Sequence, residues 1–366
     1  MRKAKEIKLA MALLSPPGDT IQEHLEYIGM SQTELADRMG RPKEKINALI
    51  RGREPLSAST AFQLEKVLGI SASFWMNRES MFRREVYQLE QEQELEKHEG
   101  WAKQFPLKEL TGLGFLQEIR AGLTADVLLN FFGVATVSDW ERIYIADADS
   151  VAFRMSLRGA KNPFVTSAWL KVGELDAAKL EVPEFNKKLF RDSLVEIKRL
   201  AFENPNDLTK KTQSLCAKCG VKLVYTPSFK GAKISGATRW LNNSPLIQLT
   251  DRFKRIDAFW FTFFHEAAHV ILHGKKDIFL EGVQGTNVDE TKEAEADRFA
   301  AKFLLSDAEY KTIVSSDITR NNIHFFAKKF GVPASIIVGR LQYEQVISFA
   351  RFNDMRGKIE LFPLDK

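Results

Sequence analysis

The apolar positions of this chain change period along its length. From Asp19 to about Arg84 they recur every three or four residues, in short runs broken by glycine, proline and serine, which predicts a set of short helices. Ile21, Leu25 and Ile28 form one face of a first helix. Ser31 to Glu34 has the form of a capping box opening a second helix, and Gly40 closes it. Pro42 suits the first turn of a third, with Gly52 just past its end. Ser57 caps a fourth that ends at Gly69, and Ser71 caps a fifth carrying Phe74 and Trp75. Residues 1–17 are basic and end in a Ser-Pro-Pro-Gly breaker, so they read as a tail or a short strand and turn. Residues 85–103 are rich in glutamate and poor in apolar residues, the pattern of a solvated helical connector; a short dimerising helix is the alternative reading, on a poor heptad.

Residues 104–215 predict further helices, among them Leu110–Leu123, Ala125–Phe132 and Asn186–Phe202, punctuated by Pro106, Pro163, Pro183 and Pro205. The period then shortens. Val221–Tyr225, Ala237–Leu241 and Pro245–Leu249 are β-rich, with Gly231, Gly236 and Asn242–Asn243 marking turns, and predict a small antiparallel sheet. Two long helical patterns follow, over about 253–273 and 288–305, then shorter ones over Asn321–Phe330 and Ala334–Phe349. The expected fold is mainly α, and α+β overall. It comprises an all-α domain over 1–84, the connector, a helical region over 104–215, and a domain over 216–366 that holds the sheet.

Two of these patterns carry chemistry. In the first, Leu35 and Met39 face inward on the second helix, Ala36 is small where helices cross, and Ile46, Leu49 and Ile50 make the buried stripe of the third. That is a helix-turn-helix arrangement, in which the second helix of the pair is held out for the major groove. Lys43, Asn47 and Arg51 then lie in a row; lysine and arginine can read guanine, and asparagine can read adenine. Gln32 and Thr33 open the preceding helix within reach of phosphate, and Arg41 and Lys45 add positive charge. An ordinary helical bundle with a charged face shows much of the same pattern. The run Gly29–Gly52 (GMSQTELADRMGRPKEKINALIRG) and the run Ala61–Trp75 (AFQLEKVLGISASFW) resemble the XRE-family helix-turn-helix of HigA-type antitoxins. Arg41 departs from that pattern, since many such motifs have an apolar residue just after the turn glycine. The resemblance implies a homodimer on a palindromic double-stranded operator and pairing with a small ribonuclease toxin.

The second pattern is His265-Glu266-x-x-His269. Residues four apart share a helix face, so both imidazoles can bind one zinc ion and the glutamate between them can reach its water. Chance is a poor explanation in a chain with 6 histidines. A carboxylate at 266 among Phe259–Phe264 and Val270–Leu272 would be costly without a role. Downstream, Glu293 and Asp297 are again four apart: Glu293 can be a third ligand, and Asp297 can hold the outer N–H of a ligating histidine. Glu295 points elsewhere on the helix. His273, about 80° round the helix from His265, reads as an outer or structural residue, and His324 and Tyr310 have no spacing argument. This Glu-x-x-x-Asp arrangement resembles the gluzincins, which have a zincin-like fold.

The run Phe261–Gly274 (FTFFHEAAHVILHG), with Glu293–Ala301 (EAEADRFAA), GVKLVY from Gly220, Ser235–Ala237 and Pro245–Leu249, resembles the ImmA/IrrE metallopeptidases. That resemblance implies His265, His269 and Glu293 as ligands of one Zn2+ per chain, Glu266 as catalytic base, and a helix-turn-helix repressor or peptide as substrate. This chain carries such a repressor-like domain itself, which leaves open whether cleavage acts on itself or on another protein. The strand edge near Gln248 is a candidate seat for an extended peptide. Two other readings stand beside the peptidase: a catalytically silent domain that senses a ligand, and a fold that only clasps a toxin.

Composition narrows these readings slightly. At 366 residues, 44% hydrophobic and 28% charged, the chain has the profile of a soluble protein of two or three domains. Only 2 cysteines exclude a disulfide scaffold, and Cys216-x-x-Cys219 lacks the second pair of a zinc ribbon, so they read as structural thiols. The 27 phenylalanines are core material. The start of the chain lacks a signal-peptide pattern and no run is apolar enough to span a bilayer, so a cytoplasmic protein is expected, and its net charge of +5 permits an anionic partner.

Overall fold

The computed structural model describes residues 4–117, 124–145, 161–252, 254–273, 279–281, 290–359 and 361. Its first element corrects the sequence reading: Ala4–Ala12 form a helix, α1, where a tail or strand was expected. Ile7 is buried, so a single apolar anchor fixes this segment while Lys5 and Lys8 remain in solvent. Helices α2 (Pro17–Ile28), α3 (Gln32–Met39), α4 (Lys43–Ile50), α5 (Ala58–Leu68), α6 (Ala72–Lys97) and α7 (Glu99–Ala102) follow.

The expected serine caps and two of the glycine stops hold. Ser31, Ser57 and Ser71 each accept a hydrogen bond from the N–H three residues on, and Gly40 and Gly69 end their helices in the left-handed region, as does Gly29, which the sequence reading did not mark. Pro42 is the N-cap of α4 and not a residue of its first turn. The box at Ser31 is half made, because the Glu34 carboxylate turns outward to Arg38 at 2.6 Å. Ile28 is another correction. It ends α2 exposed, and Met30, beyond the turn, packs against the core instead. That core gathers Ile21, Leu25, Leu35, Ile46, Leu64 and Trp75. The fifth expected helix and the Glu-rich connector are one helix, α6, of 26 residues. No turn signal interrupts the sequence between them.

Helices α2 and α4 cross very closely. A Cβ built on Gly18 would stand 1.8 Å from the carbonyl oxygen of Ile50. Neither partner is a flexible side chain that can move aside. Gly18→Ala should therefore lower the stability of this unit by about 3 kcal/mol, the upper end of overpacking penalties, read as a lower thermal midpoint of its helical signal.

The chain divides into two compact units, residues 1–102 with 119–127, and residues 103–118 with 128–366. After α7 come α8 (Leu107–Gly112), α9 (Thr124–Phe132), α10 (Val137–Tyr144), α11 (Pro163–Ala178), α12 (Lys187–Glu203) and α13 (Leu208–Lys218). The helix expected over 110–123 lies earlier: α8 ends at Gly112 and Gly114 turns with φ 77°, while 118–123 fall outside the described residues. Phe105, Phe132, Trp140 and Phe164 cluster with ring centroids 5.1–5.9 Å apart, which is the core role expected for the phenylalanines.

Strands β1 (Lys222–Tyr225), β2 (Gly236–Leu241), β3 (Ser244–Leu249) and β4 (Phe279–Glu281) form one sheet in the order β1-β3-β2-β4. The expected hairpin is present, with Leu241 opposite Ser244 across the Asn242–Asn243 turn. The sheet is mixed, however, where the sequence pattern predicts an antiparallel one. β3 inserts between β1 and β2 and runs parallel to β1, with Leu223 beside Ile247. Strand neighbours are set by tertiary packing, which local alternation does not encode. Gln248 therefore lies on a central strand, fully buried, and not at a sheet edge. Its side chain donates to Trp169 O (2.7 Å) and Thr226 Oγ1 (2.9 Å) and accepts from Arg239 (3.0 Å).

Helix α14 (Ile256–Leu272) packs on the other face of this sheet, followed by α15 (Glu290–Leu304), α16 (Asp307–Val314), α17 (Arg320–Phe330) and α18 (Ala334–Tyr343). The last helix stops six residues before the expected end, where Gln345 takes a positive φ of 58°. Phe259, Trp260, Phe263, Phe264, Ala267, Val270 and Ile271 bury α14 on nearly every side. The turn between α17 and α18 repeats that between α3 and α4. Gly331 (φ 61°, ψ 41°) matches Gly40 (φ 63°, ψ 36°), and Pro333 (φ −55°, ψ 140°) matches Pro42 (φ −60°, ψ 140°). The two second helices are used differently. Ser335, Ile336, Val338 and Gln342 of α18 are buried, whereas α4 leaves Lys43 and Lys45 in solvent.

Candidate functional site

An α-helix places His265 and His269 one turn apart on one face of α14, and the fold buries both to within 2% of full cover. Helix α15 then brings Glu293 to them. Its carboxylate is 3.1 Å from His265 Nε2 and 3.5 Å from His269 Nε2, and the two Nε2 atoms are 3.0 Å apart. These donor atoms all lie within 4.8 Å of one another. Two imidazole nitrogens and one carboxylate oxygen aimed at a common point are the donor set of a catalytic zinc site that keeps one position open. The residues fit the ion that the sequence implied.

Electrostatics supports the same use. Burial pulls the His269 pKa down, more than the neighbouring Glu293 carboxylate raises it, which favours the neutral imidazole a metal requires. Burial pushes the Glu293 pKa up, but hydrogen bonds and charge from His265 and His269 outweigh it and bring it down to about 2. Glu293 is therefore a carboxylate at neutral pH.

Each imidazole is also held from behind. Asp297 Oδ1 is 2.9 Å from His265 Nδ1, the partnership the spacing suggested. His269 Nδ1 is 2.9 Å from His273 Nδ1, and His273 Nε2 is 3.1 Å from Glu295. Phe279 of β4 stacks on the His269 ring at 3.7 Å with 15° between planes. His273 stands past the end of α14 in extended backbone (φ −109°), so the helical angle expected for it does not apply.

Glu266, fully buried, projects toward the sheet. A Cβ on Gly236 would meet its Oε1 at 2.6 Å, and Thr238 Oγ1 donates to its backbone oxygen at 3.1 Å. Gly236 thus lies within β2, not in a turn, and its missing side chain makes room for this carboxylate. Sequence reasoning missed that role, along with Phe279 and Glu295; only Gly236 carried a local signal, a glycine inside a strand pattern, which marks a close approach. Tyr310 lies under the Arg340 guanidinium at 4.2 Å and His324 is exposed on α17. Cys216 and Cys219 are free and buried, and burial raises both thiol pKa values, the condition of inert structural thiols.

In the N-terminal unit, Lys43 and Arg51 are exposed and Asn47 half-buried on one side of α4, with Arg51 at the helix C-cap. Thr33 is exposed at the start of α3. Gln32 donates to Gln22 at 2.7 Å. Lys45 pairs with Glu54 at 2.8 Å on the surface. Arg41, the departure from the usual apolar residue, donates to Gln63 of α5 at 2.6 Å, while Gln63 donates to Met39 O. The guanidinium is thus tethered by a side chain that also fastens the turn.

Comparison with known proteins agrees with both halves. Residues 22–75 match the helix-turn-helix family, and residues 216–342 match the IrrE N-terminal-like domain of the M78 peptidases. The uncharacterized HTH-type transcriptional regulator YbaQ of Escherichia coli K12 is 32% identical over 72 residues, 19% of this chain and 64% of that protein's length. YddM of the same strain, also named an uncharacterized HTH-type transcriptional regulator, is 33% identical over 69 residues, 19% of this chain and 73% of its own. A solved structure of an addiction module antidote protein of a HigA family from Coxiella burnetii is 27% identical, covering 22% of this chain and 89% of that one, with a TM-score of 0.21. No described helix is long and apolar enough to cross a membrane. The chain belongs to the helix-turn-helix transcriptional regulators, and joins to that DNA-binding domain an IrrE-like domain of the M78 peptidases.

Proposed function

We propose that this chain is a transcriptional autorepressor whose C-terminal domain is a zinc-dependent endopeptidase. The observation that carries the enzymatic half is the convergence of His265, His269 and Glu293 beside a buried Glu266. His265, His269 and Glu293 would hold the ion, which when bound polarises a scissile carbonyl and lowers the pKa of water. Glu266 would serve as the general base, accepting a proton from the attacking water and returning it to the leaving amine. Asp297 fixes the His265 ring by its Nδ1. β4 is an edge strand of the described sheet, and its Phe279 touches His269. An extended peptide pairing with β4 would pass beside the reacting centre, the role first read for the strand of Gln248.

The N-terminal domain would bind a palindromic operator as a homodimer, in the cytoplasm, with Lys43, Asn47 and Arg51 at base edges and Gln32, Thr33 and Lys45 on the backbone. By its likeness to antitoxins it would pair with a small toxin. The substrate is a regulatory protein or the chain itself. Self-cleavage in the connector would require α6 to open, because a zincin cleft takes extended peptide and α6 is continuous through Lys97. The test is intact-mass spectrometry of the zinc-loaded protein, alone and with the product of the adjacent gene, for wild type and Glu266→Gln. Cuts made by wild type alone support a peptidase. Cuts between residues 85 and 105 support self-processing, and cuts in the added protein move the substrate to that protein. A wild type that leaves both chains whole would favour a sensing or toxin-clasping domain.

A further inference from the structure

The rear of His269 is occupied in an unusual way. His265 meets a carboxylate directly, Asp297 at 2.9 Å, whereas His269 meets a second histidine. Its Nδ1 is 2.9 Å from His273 Nδ1, and His273 Nε2 is 3.1 Å from Glu295 Oε2. His273 has a side chain only 4% exposed. It cannot share an ion with His269, because it faces Nδ1 while the other donors gather at Nε2. Resting on the metal-centre reading above, we infer that His273 and Glu295 are positioning residues that select the tautomer and angle of His269.

The hydrogen-bond logic has one solution. A ligand nitrogen needs its lone pair, so a His269 that ligates through Nε2 carries its proton on Nδ1. That Nδ1–H donates to His273 Nδ1, which must then be the bare nitrogen of its ring. The His273 proton therefore sits on Nε2, and the Glu295 carboxylate, an acceptor only, is placed to receive it. Glu295 fixes the His273 tautomer, and His273 fixes that of His269. Phe279 adds rotational restraint by stacking on the His269 face, but offers no hydrogen bond. Helix α15 thus supplies the ligand Glu293 and both rear carboxylates, Asp297 and Glu295, from alternate positions.

The test measures zinc affinity of the full chain by competition with a chromophoric chelator, with the thermal midpoint of metal-free protein as the folding control. His273→Leu keeps bulk but removes the acceptor, and should weaken zinc binding roughly 10- to 100-fold. His273→Asn places Oδ1 where Nδ1 stood, and should recover most of that loss. Glu295→Leu should weaken binding less, and adding it to His273→Leu should cost nothing further, because the two act through one chain of bonds. His269→Ala gives the loss expected for a ligand. Equal affinity in wild type and His273→Leu overturns the inference while leaving the metal centre standing. So does an equal loss in the Leu and Asn variants, which would mark a packing role, or a His273→Leu loss as deep as that of His269→Ala. A wild type that binds no zinc overturns the metal-centre reading and this inference together.

Discussion

Two substitutions one turn apart on α14 should part metal binding from chemistry. His269→Ala removes one of three converging donors and should lose most of the zinc measured by elemental analysis. Glu266→Gln leaves all three donors in place and should keep one zinc per chain. It should lower peptide cleavage by roughly 10²- to 10⁴-fold, the usual contribution of a general base. The Glu266 side chain lies against Gly236 on the sheet side of α14, and glutamine has nearly the same volume, so packing should survive. Equal zinc in wild type and His269→Ala would show that the ion, if any, sits elsewhere. Undiminished cleavage by Glu266→Gln would remove that residue from the mechanism. Gly236→Ala should resemble Glu266→Gln in turnover, because its methyl would displace the carboxylate, yet should retain zinc.

The second large effect is on operator binding. A Lys43, Asn47 and Arg51 triple alanine variant should lose the specific footprint while remaining folded, since none of the three belongs to the buried core of α2 to α6. Asn47→Ala alone should cost about 1–3 kcal/mol at the specific site and relax preference at one base pair. Lys45→Ala should weaken all sequences alike and reduce the salt slope by about one at most, and by less to the extent that Glu54 already neutralises the lysine. Arg41→Ala should act differently. Its guanidinium is bound to Gln63, so the variant should loosen the turn more than it lowers non-specific affinity. Salt-dependent binding assays on specific and random duplexes separate these outcomes. An unchanged footprint in the triple variant would move the DNA-reading surface away from α4.

The elements legible in the sequence were those whose signals are local. Serine caps and glycine stops marked α3 and α5, because a hydrogen bond to the third N–H and a left-handed glycine are decided within four residues. The pairing of His265 with His269, and of Glu293 with Asp297, followed from helical pitch alone. The convergence of those two pairs did not. It depends on α14 and α15 packing together, which brings Glu293 within 3.1 Å of His265 across 28 residues of chain that local pattern cannot close.

Other features were decided only by tertiary structure, each for a definable reason. α1 is held by burial of Ile7, one residue in a basic segment whose composition argued for a tail. β4 is three residues long, too short to show a period, yet it supplies Phe279 against His269. Gln248 alternates like an edge-strand residue but lies on β3, because the insertion of β3 between β1 and β2 is a long-range choice. His273 left the helix before its expected angle could apply, and only then could its ring turn back onto His269. Sequence by itself determined the capped and glycine-stopped helices α3 and α5, the two chemical motifs and the residue types each would use, since these rest on bonds and pitch within a few residues. Strand order, the gap that Gly236 leaves for Glu266 and the partners behind each imidazole needed the folded chain, since they arise where segments distant in sequence exclude or admit one another's atoms.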